Sequence, residues 1–158
     1  MCQINFTAVR ISNLWIIDDD PMSSFYIKRL AELGDLADII TIYEKAQGAI
    51  AYLALHKSSP NHLPDMILLD IYMPGLDGWG FLEEFKEIRD SLEKRIEIYI
   101  ISSSGHTQDI DRASGFSEVS GYLQKPITKE MLTRITHNPN PNPSYAASHD
   151  AEEPGNFI

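Results

Sequence analysis

Polar side chains of complementary chemistry follow several short apolar runs of this sequence. They are three carboxylates, one hydroxyl and one ammonium group: Asp18, Asp19, Asp70, Ser102 and Lys125. Carboxylates that are brought together repel each other and resist ionisation, and a hard divalent cation relieves that repulsion. Because the set contains oxygen ligands without a nearby histidine or cysteine, it favours Mg²⁺ or Mn²⁺ over zinc.

The same groups could carry out chemistry on a phosphoryl group. With a cation bound to part of the acid set, one oxygen of Asp70 stays free as a nucleophile, and its attack on phosphorus gives an acyl phosphate. The transition state spreads negative charge over the phosphoryl oxygens. The cation and Lys125 would neutralise that charge, while Ser102 donates a hydrogen bond. Taken alone, Asp18 and Asp19 could be a solvated turn, and only the joint placement of all the groups favours a phosphoryl site.

Five short apolar runs must position these groups, and we interpret them as strands at 14–17, 39–43, 66–69, 96–101 and 121–124. The run 66–69 shows no polar alternation and ends in turn residues, which is typical of a strand buried on both faces of a parallel sheet. In open α/β sheets, ligands bind at the carboxyl ends of the strands. That edge is where the sequence places Asp70.

Helical patterns alternate with the strands. Asp20-Pro21 provides an N-cap and a favourable first helical residue, and Gly34 ends that helix. We expect its buried stripe to consist of five apolar residues, Met22, Phe25, Tyr26, Leu30 and Leu33. Further helices are expected near 46–53, 80–88, 109–114 and 128–136. This alternation predicts βαβ units, and therefore a doubly wound α/β domain with helices on both faces of a parallel sheet.

Composition narrows the classes of function. The 158 residues are 43% hydrophobic, which fits a globular protein. A formal net charge of −10 argues against binding to nucleic acid or to an anionic membrane surface. The one cysteine, Cys2, can form no internal disulfide. We also find no run of about 20 apolar residues and no secretory signal, so we expect a cytoplasmic protein.

The chain divides by composition into three parts. Residues 1–12 are interpreted as an N-terminal extension, and residues 13–136 as a single domain. Residues 137–158 are rich in Pro, Asn and Ser and have almost nothing to bury, so we predict a disordered tail there. This segment is too poor in apolar residues to be an effector domain.

Four motifs carry a resemblance to a known family. In order, WIIDDD, ILLDIYMPGLDG, IISSS and GYLQKPIT resemble the signatures of the response-regulator receiver domain of two-component signalling, the CheY-like superfamily. The resemblance covers residues 13–136 and suggests a stand-alone member. It implies a three-layer, flavodoxin-like fold with a five-stranded parallel sheet in the order 2-1-3-4-5.

The resemblance implies a role for each acid. Asp70 matches the phosphoacceptor. Asp18 and Asp19 match the acidic pair, with Asp19 expected to contact Mg²⁺ directly and Asp18 through water. The backbone carbonyl of Tyr72 matches the third protein ligand.

It also implies the residues of a switch. Ser102 matches the switch hydroxyl, although threonine is commoner there, and Tyr122 matches the aromatic switch. Lys125 matches the family's lysine, and its bond to Pro126 is usually cis in that family. Tyr72 and Ser104 occupy variable positions that are thought to tune the lifetime of the phosphoryl group.

Three functions remain open at this stage. The resemblance favours a signalling protein that accepts a phosphoryl group from a sensor histidine kinase or a phosphotransfer protein. It would act on an unknown downstream protein through the face formed by residues 102–136, catalysing only its own phosphorylation and dephosphorylation. A second possibility is a receiver-like scaffold that binds a partner independently of phosphorylation. A third is a haloacid-dehalogenase-like phosphatase with Asp18 as nucleophile and Asp20 as acid, although Met22 is not the residue expected there and no cap insertion follows.

Overall fold

A parallel five-stranded sheet forms the centre of the protein, as seen in a computed structural model that describes residues 10–137. The strands are β1 (Ile11–Ile17), β2 (Ala37–Tyr43), β3 (Met66–Asp70), β4 (Glu97–Ser102) and β5 (Val119–Gln124). Their order across the sheet is β2-β1-β3-β4-β5, and every neighbouring pair is parallel. The predicted fold class is therefore confirmed.

Five helices connect and cover the strands: α1 (Pro21–Leu33), α2 (Ala46–Leu55), α3 (Gly78–Ile88), α4 (Thr107–Ser114) and α5 (Lys129–His137). Short 3₁₀ turns lie at Pro60–His62 and Arg89–Ser91. Within the described part of the chain, no helix is both long enough and apolar enough to cross a membrane.

The central strand β3 is buried on both faces, which explains its unbroken apolar sequence. Ile67 and Leu69 pack into the hydrophobic layer that also contains residues of α2 and α3. Met66 and Leu68 pack into the opposite layer, with residues of α1 and α5. Each of these four residues thus removes apolar surface from water on one side of the sheet or the other.

The predicted buried stripe of α1 was wrong. Met22, Phe25, Tyr26 and Leu33 are 82%, 67%, 50% and 62% exposed, and Leu30 is only half-buried. The buried positions are instead occupied by residues of the next face, Ser24, Ile27 and Ala31. Two of these three are small, so the helix can lie close to the sheet, and the largest side chains are left on the outside.

Several boundaries differ from the predicted ones. Strand β1 begins at Ile11, three residues before the apolar run and inside the segment that we had assigned to an extension. Helix α5 includes His137, the first residue of the predicted tail. The rest of that tail, residues 138–158, and residues 1–9 lie outside the described residues.

Candidate functional site

Three carboxylates meet at the carboxyl edge of the sheet. Strands β1 and β3 are neighbours, and Ile17 pairs in register with Leu69, so the acids that follow them are adjacent. One carboxylate oxygen from each of Asp18, Asp19 and Asp70 lies within 4.8 Å of the others. Asp18 is fully buried and Asp70 is nearly so.

The backbone after β1 fixes the acidic pair. The amide of Asp18 donates a hydrogen bond to the carbonyl of Tyr43 at 3.0 Å, which continues the pairing with β2. The amide of Asp20 donates to Oδ1 of Asp18 at 3.0 Å. The side chain of Asp20 accepts from the amide of Met22 at 3.0 Å, so Asp20 is the predicted N-cap of α1. Asp20 therefore satisfies the amino terminus of a helix, as its sequence position predicts.

Lys125 reaches this acid cluster from the end of β5. Its Nζ donates to Oδ2 of Asp18 at 2.9 Å and lies 3.7 Å from Oδ2 of Asp70. Its amide donates to the carbonyl of Ser102 at 2.8 Å, and its bond to Pro126 is cis. The shorter of the two contacts joins residues 107 positions apart in the chain. The sequence did not indicate that Asp18, rather than Asp70, would be the nearer partner.

Burial raises the pKa of Asp70 to about 6. The ammonium group of Lys125 and the amide of Tyr72 oppose this shift, while the neighbouring Asp18 adds to it. The cluster of three carboxylates thus has one ammonium group beside it, which contacts Asp18 and Asp70. The oxygen-only donors and the excess negative charge fit a hard divalent cation, and this is the only convergence of three or more His, Cys, Asp or Glu side chains within residues 10–137.

The loop after β3 folds back directly onto the phosphoacceptor candidate. Gly75 has a φ of +77°, a conformation that glycine adopts without a steric penalty. A Cβ atom at Gly78 would lie 2.6 Å from the carbonyl oxygen of Asp70, and the amide of Gly78 donates to the carbonyl of Ile71 at 2.8 Å. Asp77 caps α3 by accepting from the amide of Gly80 at 2.8 Å.

Ser102 and Tyr122 contact the same loop, between β4 and α4. Ser102 is fully buried, and its Oγ accepts from the amide of Ser104 at 3.0 Å. Tyr122 is 5% exposed, and its hydroxyl donates to the carbonyl of Ser104 at 2.7 Å. The structure therefore brings both predicted switch residues together, with the tyrosine ring already in the interior.

Sequence reasoning missed Asp109, on the first turn of α4. The hydroxyl of Tyr72 donates to Oδ2 of Asp109 at 2.6 Å, and Oγ of Ser104 donates to the same oxygen at 2.7 Å. Both hydrogen bonds lower the pKa of the Asp109 carboxyl, and the one from Tyr72 has the larger effect. An aspartate near the start of a helix is ordinary in a sequence, so no local signal set it apart.

Comparison with known proteins assigns the family. The model of the response regulator receiver domain matches residues 14–137. The chain belongs to the receiver domain family. This receiver domain is thus a member of a family of signalling modules from two-component systems.

Similar proteins come from several organisms. The chain is 29% identical over 119 residues to the probable methanogenesis regulatory protein FilR2 of Methanothrix harundinacea, covering 75% of each protein. It is 32% identical over 126 residues to the nitrate/nitrite response regulator NarL of Escherichia coli K12. That match covers 80% of this chain but 53% of NarL, so the receiver domain spans about half of the relative's length.

Solved structures show the same fold. A two-component response regulator from Cytophaga hutchinsonii superposes with a TM-score of 0.72 at 25% identity. The match covers 80% of this chain and 94% of the other.

Proposed function

We propose that this receiver domain accepts a phosphoryl group on Asp70 from a phosphohistidine of a sensor histidine kinase or a phosphotransfer protein, and that the modification changes a protein-binding surface. The observation that carries the proposal is the convergence of Asp18, Asp19 and Asp70 with Lys125 at one edge of the sheet. Membership of the receiver family supports it.

The transfer is a single displacement at phosphorus. A carboxylate oxygen of Asp70 attacks the phosphorus atom, the bond from phosphorus to the donor's imidazole nitrogen breaks, and the imidazole leaves with that electron pair. Asp70 becomes an acyl phosphate. Burial makes the anion of this side chain less stable than it is in water, which raises its pKa. Because the anion is the nucleophile, the site must compensate its charge.

The residues around Asp70 provide that compensation. Asp18, Asp19, Asp70 and the carbonyl of Tyr72 would hold Mg²⁺, or Mn²⁺, and the bound cation would neutralise charge on the phosphoryl oxygens. The ammonium group of Lys125 is 3.7 Å from the Asp70 carboxylate, close enough to contact a phosphoryl oxygen added there. The shorter contact of Lys125, with Asp18, would hold the ammonium group in place when no phosphoryl group is present.

The switch would act through Ser102 and Tyr122. The hydroxyl of Ser102 would donate to a phosphoryl oxygen, which would draw the loop after β4 toward Asp70. Tyr122 already lies inside, with its hydroxyl on the carbonyl of Ser104. Phosphorylation would therefore stabilise this position of the ring rather than create it, which is a shift of population between existing conformations.

A small phosphodonor tests the proposal. Acetyl phosphate with Mg²⁺ should add one phosphoryl group to the wild-type chain, as measured by intact mass, and chelation of Mg²⁺ should prevent it. Asp70→Asn should stay unmodified. Asp65→Asn makes the same change at the other end of β3 and should be labelled like the wild type. Equal labelling of the Asp70→Asn variant would refute the assignment.

A binding measurement tests the output. The affinity for a candidate partner is measured before and after phosphorylation of the same sample. A difference supports the phosphorylation-dependent surface. Equal affinities for the two forms favour the scaffold function instead.

A further inference from the structure

One oxygen of Asp109 joins the two loops that flank the phosphoacceptor. It accepts from the hydroxyl of Tyr72 at 2.6 Å and from Oγ of Ser104 at 2.7 Å. Tyr72 lies two residues beyond Asp70, and Ser104 lies two residues beyond Ser102. A charged acceptor makes stronger hydrogen bonds than a neutral one, so Asp109 is the central group of this connection.

The helix that carries Asp109 is held at a second point. One turn further along α4, the guanidinium carbon of Arg112 lies 4.4 Å from the centre of the Trp79 ring on α3. Ala113 of α4 is buried in the same hydrophobic layer as Trp79. Asp109 is thus presented by a helix whose position is set independently of Tyr72.

The side chain of Tyr72 connects the loop after β3 to the start of α4. Its backbone amide lies close enough to the Asp70 carboxylate to lower the pKa of that group, and its hydroxyl donates to Asp109 on α4. The side chain therefore joins the loop that follows Asp70 to the helix that follows β4 and Ser102. With 56% of its surface exposed, this ring has few packing contacts to fix its rotamer, and the hydrogen bond to Asp109 does so instead.

We propose that Asp109 is a positioning residue that holds the Tyr72 ring across the mouth of the site and thereby slows hydrolysis of phosphorylated Asp70. This inference rests on the proposed function. In the hydrolysis, a water oxygen attacks phosphorus and the bond from phosphorus to the Asp70 oxygen breaks. The carboxylate is restored, and inorganic phosphate leaves with the protons of the water. The water must approach from the side opposite the Asp70 oxygen, and a ring held over the opening obstructs that approach.

The lifetime of the phosphorylated chain tests the effect. The chain is loaded with acetyl phosphate and Mg²⁺, the donor is removed, and the phosphorylated fraction is followed by intact mass. Asp109→Ala should raise the first-order rate constant of hydrolysis on the order of threefold to tenfold. The substitution removes the hydrogen bond that holds the Tyr72 ring, and one such bond contributes about 1 kcal/mol. Asp111→Ala is the matched control. Among the described residues the Asp111 side chain makes no hydrogen bond or ion pair, so its rate should equal that of the wild type.

A double substitution separates positioning from a general loss of structure. Tyr72→Ala removes the ring and should raise the rate at least as much as Asp109→Ala. If Asp109 acts through the ring, then adding Asp109→Ala to Tyr72→Ala should change nothing further. A further increase in the double variant, or equal rates in Asp109→Ala and the wild type, would overturn the proposal.

The ring position can be measured without any phosphoryl group. In the unphosphorylated chain labelled with ¹³C-tyrosine, Asp109→Ala should shift the NMR resonances of the Tyr72 ring and leave those of Tyr26, on α1, in place. Unshifted Tyr72 resonances would show that Asp109 does not hold the ring. If the wild-type chain takes up no phosphoryl group, the proposed function fails and the lifetime effect fails with it, while the NMR result still decides whether Asp109 positions Tyr72.

Discussion

Acidic side chains are paired with basic ones differently at the two ends of the sheet. At the amino ends of the strands, acids are paired with separate bases: Asp65 with Lys94 at 2.7 Å, Glu118 with Arg89 at 2.7 Å and Glu97 with Arg95 at 3.3 Å. At the carboxyl ends, three acids lie close together, and Lys125 contacts two of them, Asp18 and Asp70.

This difference in pairing indicates that the amino edge serves stability and that the carboxyl edge can bind a ligand. A paired acid contributes to folding and has no excess charge to offer a ligand. At the carboxyl edge Asp70 is buried and lies beside Asp18, and these two conditions, burial first, raise its pKa. Under the proposed function, binding of Mg²⁺ from solution would stabilise this edge. Substitutions at the two edges should therefore differ in whether Mg²⁺ changes their effect.

The largest effect is expected from Lys125→Met. Removing the ammonium group takes away one of the positive charges that the transition state requires, so the rate of phosphoryl uptake from acetyl phosphate should fall on the order of a hundredfold. Lys94→Met removes the same group from the amino edge and should leave the rate unchanged. A similar loss of rate in both variants would mean that the two edges do not differ in function.

Arg89→Met should produce the largest loss of stability at the amino edge. The Glu118 side chain is 1% exposed, so this change leaves a buried carboxylate without its partner. The free energy of unfolding, measured with urea, should fall by about 3 kcal/mol. Mg²⁺ should not restore it, whereas adding Glu118→Gln should recover part of the loss. Restoration by Mg²⁺ would contradict the distinction between the edges.

Asp70→Asn should stabilise the metal-free chain at neutral pH. The pKa of Asp70 is about 6 in the folded chain against an ordinary 3.8, so the folded state binds the proton more tightly. The wild type therefore loses stability as the pH rises from about 4 to about 6, and the loss persists above pH 6. The variant should be more stable by at most about 3 kcal/mol at pH 7, and equally stable below pH 4. Urea unfolding at several pH values, with a chelator present, measures this difference.

Asp65→Asn makes the same substitution at the amino edge and should have a smaller effect of opposite sign. The side chain loses its charge opposite Lys94, while its amide oxygen can still accept from the amide of Asn13. Because both charged groups are partly exposed, we expect a loss of about 1 kcal/mol by urea unfolding at pH 7. A gain in stability would remove the contrast with Asp70→Asn.

Much of the fold was predictable because the sequence patterns that indicate strands and helix ends involve only a few neighbouring residues. The unbroken apolar run of β3 identifies a strand buried on both faces, and Asp20-Pro21 marks the start of α1. The exposed face of α1 was not predictable from hydrophobicity. Ser24 and Ala31 are buried because they let the helix approach the sheet, and large residues such as Phe25 remain outside.

Part of the candidate site was likewise predictable from the sequence, and part was not. The acids and Lys125 could be assigned to one edge because the carboxyl ends of parallel strands lie together. The contact of Asp109 with Tyr72 could not be foreseen, since it joins side chains 37 positions apart on a loop and a helix. The inward position of Tyr122 likewise depends on how the loop after β4 is folded.

The sequence by itself determined which chemical groups stand at the ends of the strands, because apolar runs, caps and turn residues act over a few neighbouring positions. Only the tertiary structure decided which groups meet: that Lys125 lies nearer to Asp18 than to Asp70, and that Asp109 joins Tyr72 to Ser104. The physical reason is that a hydrogen bond or ion pair forms only when atoms of residues far apart in the chain come within about 3 Å, and a shift of a few tenths of an ångström weakens it. The packing of helices and loops against the sheet sets those distances.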